Sequence, residues 1–316
     1  MGKVAFIFPG QGAQYIGMGK YLCQNLPEAK EVFDSADRVL GFGLKRIIFE
    51  GPEERLSETE ITQPAILTIS TAILRQLKKH GIKPDMAAGL SLGEYSALVA
   101  ADSMDFEDAV ALVQKRGKYM QSAVPINTGT MAAIIGLDKE SVEECCRRAS
   151  HLGVVEPANY NCSCQTAISG ERGAVAGAVE IAKEMGARRA VILPVSAPFH
   201  CSLLRPVEDK LGRELDKMNI RGTSFPVIAN VTAMEETRSE YIKQNLIKQV
   251  SSPVLWEESV IRMLSLGADT FVEIGPGKTL SGFVKKIDKG ATIMNIENME
   301  TLEMALKVLE GIKCLS

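Results

Sequence analysis

Short apolar runs alternate with amphipathic segments over the first half of the chain. The first run ends at Pro9-Gly10, which is typical of a buried strand that reaches a turn. Apolar positions three and four residues apart predict helices, the first with Thr62 as its N-cap. Strands that alternate with helices indicate a parallel sheet covered on both faces. These predicted elements are strands 4–8 and 86–89 and helices 61–79, 94–99 and 106–120.

The pattern changes between about 125 and 196. The predicted order there is β-α-β-β-α-β, with a hairpin around Asn161-Cys162, and this order is that of a ferredoxin-like unit. We therefore predict a large α/β domain formed by 1–124 and 197–316, with a small inserted domain formed by 125–196. The elements predicted for the insert are 130–137, 139–150, 154–160, 165–169, 174–185 and 190–195; those after it are helix 202–218, strand 226–231, helices 238–250 and 253–266, strand 270–274 and helix 278–287.

Composition and charge exclude several classes of protein. A hydrophobic content of 46% with 24% charged residues over 316 residues indicates a packed globular chain. Thirty-six basic and 39 acidic residues give a net charge of −3, which leaves no basic excess for nucleic acid or an anionic membrane. No apolar run approaches a membrane span, and the N-terminus lacks the pattern of a signal peptide. Seven cysteines, an odd number without zinc-site spacing, fit reduced thiols, so we expect a soluble cytoplasmic protein without a metal.

The strongest chemical signal is the G-x-S-x-G pentapeptide at 89–93, between a predicted strand and a predicted helix. Glycines on both sides of Ser91 allow a tight, strained turn that raises its hydroxyl above the sheet, as in a nucleophile elbow. The Leu92 amide would then point at an oxyanion from the start of a helix. An ordinary turn serine is the alternative interpretation.

A serine nucleophile needs a base, and the chain contains three histidines. His80 and His151 lie at predicted helix ends, where the helix dipole stabilises an imidazolium without any function. His200 lies in an apolar loop directly after the insert, so elimination favours it as the general base, with a core histidine as the alternative. No carboxylate stands out as its orienting partner, which leaves a neutral carbonyl acceptor as the other choice.

Two further positions carry polar groups where a substrate would bind. Gln11 follows the first predicted strand; Gly10-x-Gly12 is followed by Tyr15 in place of a third glycine, which argues against a dinucleotide loop. The Gln11 amide would instead complete an oxyanion hole with Leu92, or the segment is a structural turn. Arg116 lies on the apolar stripe of its helix, where a guanidinium requires an anion: an acidic side chain or a substrate carboxylate.

Five segments together resemble the malonyl-CoA:acyl carrier protein transacylases of type II fatty acid synthesis. The resemblance covers essentially the whole chain, and the order and spacing of the segments are more specific than any one of them. It implies an α/β-hydrolase-like large domain with an inserted ferredoxin-like small domain. The segments are GQGAQ at 10–14, GLSLGEY at 89–95, QKRG at 114–117, APFH at 197–200 and EIGPG at 273–277.

The resemblance also implies a role for each candidate residue. Ser91 is the nucleophile and His200 the base, and Arg116 holds the malonyl carboxylate. The resemblance supplies the missing orienter, Gln249, whose backbone carbonyl accepts the histidine N–H. The remaining residues are the oxyanion-hole amides of Gln11 and Leu92, the malonyl-selecting Phe199, and the pocket-lining Asn159 and Gln63.

The implied reaction moves a malonyl group from malonyl-CoA to Ser91 and then to the phosphopantetheine thiol of acyl carrier protein. No permanently bound cofactor is expected, acyl carrier protein is the expected partner, and the chain is expected to be a monomer. A serine hydrolase or thioesterase would share Ser91, His200 and the oxyanion hole, so it is the first rival. The second rival is a non-catalytic scaffold for the carrier protein on the same fold.

Overall fold

The computed structural model describes residues 2–313 with the exception of Ile126 and Ser196. Within this part of the chain the strands are β1 Lys3–Phe8, β2 Met86–Gly89, β3 Gly129–Ile135, β4 Val155–Cys162, β5 Gln165–Glu171, β6 Arg189–Ile192, β7 Val227–Ile228, β8 Glu235–Glu236, β9 Ala268–Ile274 and β10 Thr292–Ile296. The α-helices are α1 Lys20–Asn25, α2 Pro27–Leu40, α3 Leu44–Glu50, α4 Glu53–Leu56, α5 Thr59–Lys79, α6 Leu92–Ala100, α7 Phe106–Gln121, α8 Lys139–Ala149, α9 Arg172–Glu184, α10 Arg205–Leu215, α11 Ser239–Gln249, α12 Trp256–Ser265, α13 Thr279–Ile287 and α14 Met299–Lys313.

The larger sheet has six strands in the order β10-β9-β1-β2-β7-β8. Its neighbouring strands are parallel except for the antiparallel pair β7 and β8. The apolar run of β1 is buried because strands flank it on both sides and helices cover both faces. Phe8 pairs with Gly89 at the carboxyl ends of β1 and β2, so the loops after these strands meet at one edge.

Helix α5 crosses the core of the large domain and begins earlier than the sequence pattern predicts. The predicted N-cap at Thr62 is wrong, because Glu58 occupies that position and the Thr62 hydroxyl donates to the Leu56 carbonyl. Thr59 and Ile61 are buried, so tertiary packing extends the helix by a turn toward its N-terminus. Pro64 consequently lies inside the helix rather than at its first turn.

The smaller sheet is antiparallel, with the strand order β4-β5-β3-β6. Helices α8 and α9 cover one face and share an apolar core that includes Val142, Val175 and Ile168. The order β3-α8-β4-β5-α9-β6 is that of a ferredoxin-like unit, as predicted. The hairpin turns at 163–164 rather than at Asn161-Cys162, because two register irregularities lengthen β4.

Strand β4 connects the small domain to the segments that follow His200 and Gln249. The Tyr160 amide donates to the Val254 carbonyl at 2.9 Å, and the Val254 amide donates to the Ala158 carbonyl at 2.9 Å. The Glu156 carboxylate accepts hydrogen bonds of 2.7 Å from both the amide and the hydroxyl of Ser202. None of the helices that the structure describes is long and apolar enough to cross a membrane.

Candidate active site

Ser91 lies in a sharp turn between β2 and α6, with a backbone φ of 54° and ψ of −103°. A Cβ atom on Gly89 would lie 1.9 Å from the Gly93 carbonyl carbon, and one on Gly93 would lie 2.0 Å from the Phe8 carbonyl oxygen. Neither position has room for a side chain, since these neighbours are backbone atoms. The G-x-S-x-G segment therefore forms the strained strand-to-helix elbow that its sequence predicts.

The imidazole of His200 lies against the Ser91 hydroxyl, although 109 residues separate the two. His200 Nε2 is 2.7 Å from Ser91 Oγ, and Nδ1 is 2.7 Å from the backbone carbonyl of Gln249. Because a carbonyl only accepts, Nδ1 carries the ring proton and donates it to Gln249. Nε2 is then the acceptor that faces the Ser91 hydroxyl, which is the tautomer that a general base requires.

Burial keeps the His200 ring neutral, because 3% of the residue is exposed. Burial, aided by the nearby positive charge of Arg116, lowers the pKa of His200 to about 4. The backbone carbonyls of Gln249 and Ser252 oppose this shift by accepting hydrogen bonds from the ring. A neutral imidazole near pH 7 is able to take a proton from a serine hydroxyl.

Arg116 is 1% exposed, and its guanidinium points at the same serine. Nη1 donates to Gln63 Oε1 at 2.7 Å, and Nη2 donates to Gln249 Oε1 at 2.9 Å and to Ser91 Oγ at 3.1 Å. The guanidinium carbon lies 5.3 Å from the centre of the Tyr95 ring. Among the described residues no carboxylate forms an ion pair with Arg116, and its Nε has no partner. No acidic side chain of the described residues touches Arg116 directly, but the buried Glu94 carboxyl attracts it and is linked to it through Gln249.

Close packing of α7 against α5 gives Arg116 its place. A Cβ atom on Gly117 would lie 2.5 Å from the Thr59 carbonyl oxygen, so the two helix backbones touch at this glycine. Gln63 follows on the next turn of α5, within hydrogen-bond distance of Arg116. The glycine after the arginine thus allows its guanidinium to reach the site from a neighbouring helix.

The amides proposed for an oxyanion hole lie beside the elbow. A Cβ atom on Gly10 would lie 2.6 Å from the Leu90 carbonyl oxygen, so the loop that carries Gln11 touches the elbow backbone. In the described part of the chain the Gln11 and Leu92 amides donate to no acceptor. The Ser91 amide, by contrast, donates to Asn230 Oδ1 at 2.7 Å. Both amides are thus free to donate to a ligand, and their role as an oxyanion hole stays a prediction.

The two remaining predicted residues are Phe199 and Asn159, and the hydrogen bonds described for the Ser91 hydroxyl involve neither of them. Phe199 precedes His200 and packs into the main hydrophobic core of the large domain. Asn159 is buried on β4, where its backbone is bridged to Val254, five residues after Gln249. Phe199 is therefore the neighbour of His200 in the chain, and Asn159 lies on a strand that is bridged to the segment after Gln249.

Three buried polar residues near the elbow were missed by sequence reasoning: Asn230, Glu94 and Glu236. Glu94 stands inside a segment that carries the family resemblance, and Asn230 lies near the C-terminal end of the strand predicted over 226–231. A polar residue at that end of a strand is a signal that could have identified Asn230.

No metal or disulfide chemistry is indicated by the described residues. They contain no group of three or more potential metal ligands. Six of the seven cysteines fall within the described residues, and each of the six is a free thiol.

An elbow serine, a neutral imidazole and unoccupied amides define the acyl-transfer site of an α/β-hydrolase-like protein. A family model described as the acyl transferase domain matches residues 5–304. The malonyl CoA-acyl carrier protein transacylase of Bacillus subtilis (strain 168) is 48% identical over 311 residues, 98% of each chain. The protein of that name from Staphylococcus aureus (strain MSSA476) is 44% identical over 304 residues, 96% of this chain and 98% of its own. This chain belongs to the acyl transferase family, within its malonyl CoA-acyl carrier protein transacylases.

Solved structures show the same similarity in three dimensions. The crystal structure of malonyl CoA-acyl carrier protein transacylase from Clostridium perfringens ATCC 13124 has a TM-score of 0.95 at 47% identity and covers 99% of both chains. A malonyl-transacylase in complex with its type II polyketide synthase acyl-carrier protein has a TM-score of 0.95 at 41% identity, covering 96% of this chain and 99% of its own. The fold is therefore the predicted α/β-hydrolase-like domain with a ferredoxin-like insert.

Proposed function

We propose that this enzyme transfers the malonyl group of malonyl-CoA to the phosphopantetheine thiol of acyl carrier protein in fatty acid synthesis. One observation carries the proposal: a serine paired with a neutral imidazole at 2.7 Å also faces a buried guanidinium without an ion-pair partner among the described residues. The pair provides a nucleophile, and the guanidinium provides a binding group for an acyl chain that ends in a carboxylate.

In the first half-reaction His200 Nε2 takes the proton of Ser91 as Oγ attacks the thioester carbon of malonyl-CoA. The amides of Gln11 and Leu92 hold the tetrahedral oxyanion. Collapse of this intermediate breaks the C–S bond, and the leaving thiolate takes the proton back from His200. Free coenzyme A departs, and a malonyl ester remains on Ser91.

The second half-reaction reverses the first with a different thiol. The phosphopantetheine thiol of acyl carrier protein gives its proton to His200 and attacks the malonyl ester. The oxyanion forms again at the same amides, and the Ser91 oxygen leaves with the proton from His200. The Gln249 carbonyl holds the ring throughout, because Nδ1 never loses its proton.

Arg116 is the group that selects malonyl. Its Nη2 contacts the Ser91 hydroxyl, so the guanidinium lies beside the position where the malonyl carboxylate of an acyl group on Ser91 would bind. Gln63 and Gln249 hold the guanidinium through its two terminal nitrogens, and the unpaired Nε adds a further donor. Phe199 and Asn159 line the acyl pocket in this proposal.

The experiment uses radiolabelled malonyl-CoA with holo acyl carrier protein, and with the apo carrier that lacks the thiol. We expect label on the holo carrier and none on the apo carrier. Without any carrier, malonyl should accumulate on the enzyme with slow release of free malonate. Rapid release of malonate would favour the hydrolase, and an enzyme that never acquires label would favour the scaffold.

The remaining parts of the proposal concern organisation and setting. A large domain of 1–124 and 197–316 with a small domain of 125–196 is supported by the four-stranded sheet, which runs from Gly129 to Ile192. A cytoplasmic location fits the six free thiols of the described chain. No permanent cofactor enters the steps above, since Ser91, His200 and the amides supply each of them. Sedimentation equilibrium tests the predicted monomer.

A further inference from the structure

Asn230 lies two residues after the end of β7, and its side chain binds the backbone of the Ser91 elbow. Its Oδ1 accepts from the Ser91 amide at 2.7 Å, and its Nδ2 donates to the Gly89 carbonyl at 2.7 Å. One side-chain amide therefore bridges the backbone on both sides of Leu90. The residue is fully buried, and the elbow residue that it contacts lies 139 positions earlier in the chain.

The backbone of Asn230 is itself fixed on both sides. Its amide donates to Glu94 Oε2 at 3.0 Å, and its carbonyl accepts from the Leu255 amide at 2.9 Å. All four polar groups of this residue are thus occupied. Such complete pairing restricts the side-chain amide to one orientation, which is the requirement for a rigid support.

Glu94 connects this support to the rest of the site. The same Oε2 that accepts from Asn230 accepts from Gln249 Nε2 at 2.7 Å, and Gln249 Nε2 also lies 2.9 Å from the Ser91 carbonyl. Gln249 in turn binds Arg116 through Oε1 and orients His200 through its backbone carbonyl. Nucleophile, base and guanidinium therefore share one buried network that rests on Glu94 and Asn230.

The Ser91 backbone is strained, and this network is positioned to hold it. A non-glycine residue at φ 54° and ψ −103° is sparsely populated and persists only where its surroundings enforce it. We propose that Asn230 is a positioning residue for acyl transfer: it holds the Ser91 peptide in its strained conformation, and Glu94 holds Asn230 and Gln249 in place. The inference rests on the proposed function in taking Ser91 as the nucleophile.

The carboxyl of Glu94 needs its oxygen rather than its charge for this role. Burial raises the pKa of Glu94 well above its usual range, and repulsion from the buried Glu236 carboxyl adds to the shift. An uncharged group with an oxygen at the Oε2 position accepts the same two hydrogen bonds. Glutamine is therefore a faithful replacement for Glu94, whereas alanine is not.

The test follows the labelling of Ser91 by a fluorophosphonate probe and by malonyl-CoA and acetyl-CoA, recording both the rate and the final labelled fraction. For Asn230→Ala we expect the three rates to fall by a similar factor, about 100-fold, with complete final labelling. Glu94→Ala should lose about as much, and Glu94→Gln should stay within about 3-fold of the parent enzyme. Asn245→Ala is the control, since Asn245 donates at 2.7 Å to Glu236 and does not touch the elbow.

Each other outcome overturns the proposal. Full labelling by Asn230→Ala at the parent rate would show that Ser91 needs no such support. A reduced labelled fraction that reacts at the parent rate would show that Asn230 serves folding alone. If Asn230→Ala does not fold, a loss by Glu94→Gln equal to that by Glu94→Ala would contradict the proposal. Failure of the proposed function is distinguishable, because the parent enzyme would then react with the fluorophosphonate but not with malonyl-CoA.

Discussion

The burial of His200 determines how Ser91 reactivity depends on pH. Burial and the charge of Arg116 lower the pKa of His200 to about 4, below the ordinary value of 6.5. Because the pKa is lowered, the ring stays neutral as the pH falls through 6 and 5, and it is protonated only near pH 4. Ser91 reactivity should therefore be flat from pH 8 to pH 5 and decline below that.

The neutral fraction of the imidazole at pH 5 distinguishes a buried His200 from an exposed one. With a pKa of about 4, roughly nine-tenths of the rings are neutral at pH 5, so the rate is close to its value at pH 8. With a pKa of 6.5, only about 3% are neutral at pH 5, and the rate would fall about 30-fold. The difference between the two values corresponds to about 3 kcal/mol in favour of the neutral ring.

The assay is the rate of fluorophosphonate labelling of Ser91, because an uncharged probe adds no titration of its own in this range. Arg116→Ala removes a positive charge that disfavours imidazolium, so the acidic limb should move to higher pH while burial remains. Lys115→Ala is the matched control, since Lys115 points outward to Glu214 at 2.7 Å. A parent profile that declines near pH 6.5 would show that burial does not lower the pKa of His200, and an Arg116→Ala profile identical to the parent would show that the guanidinium has no influence on it.

Three substitutions test carboxylate binding, helix packing and a buried carboxylate in turn. Arg116→Ala should lower malonyl acylation roughly 100-fold, the loss of about 3 kcal/mol expected for a charged hydrogen bond, and should spare acetyl acylation; equal losses would argue against carboxylate binding. Gly117→Ala should lower the free energy of unfolding by about 1–3 kcal/mol, because the added methyl group meets the Thr59 carbonyl. Gly282→Ala is the control: this glycine has open space around it, so the free energy of unfolding should stay equal or rise. Glu273→Ala should cost about 2 kcal/mol in chemical denaturation, since its carboxylate accepts from two amides at the start of α13, and Glu273→Gln should cost less.

The sequence predicts many of the elements that bury an apolar face over several residues. The core strand β1 and the long helices α5 and α7 carry such patterns, and the β-α-β-β-α-β order identifies the insert. Helices α1, α3 and α4 escape prediction, because four to seven residues hold too few apolar repeats to show a period. Helices α2 and α14 and strand β10 were also missed, although the two helices span 14 and 15 residues. The strand predicted over 226–231 shortens to Val227–Ile228, since the chain turns at Asn230, whose amide donates to Glu94.

The residues of the candidate site differ in the same way, since some show a local sequence pattern and others do not. Ser91, His200 and Arg116 each stand out locally, as a serine between glycines, a histidine away from helix ends and a charge on an apolar stripe. Gln249 acts on the imidazole through its backbone carbonyl, which every residue has, so only the family resemblance could indicate it. Asn230 and Glu94 meet across 136 residues, and nothing in the sequence marks that contact.

In the proposed reaction Ser91 carries the malonyl group between two thiols. Intact and peptide mass spectrometry after mixing with malonyl-CoA tests it directly, followed by addition of holo acyl carrier protein. We expect a single malonyl group on the peptide that contains Ser91, which then moves to the carrier, and no adduct in Ser91→Ala. Transfer to the carrier by Ser91→Ala, or a malonyl group on another residue, would contradict it.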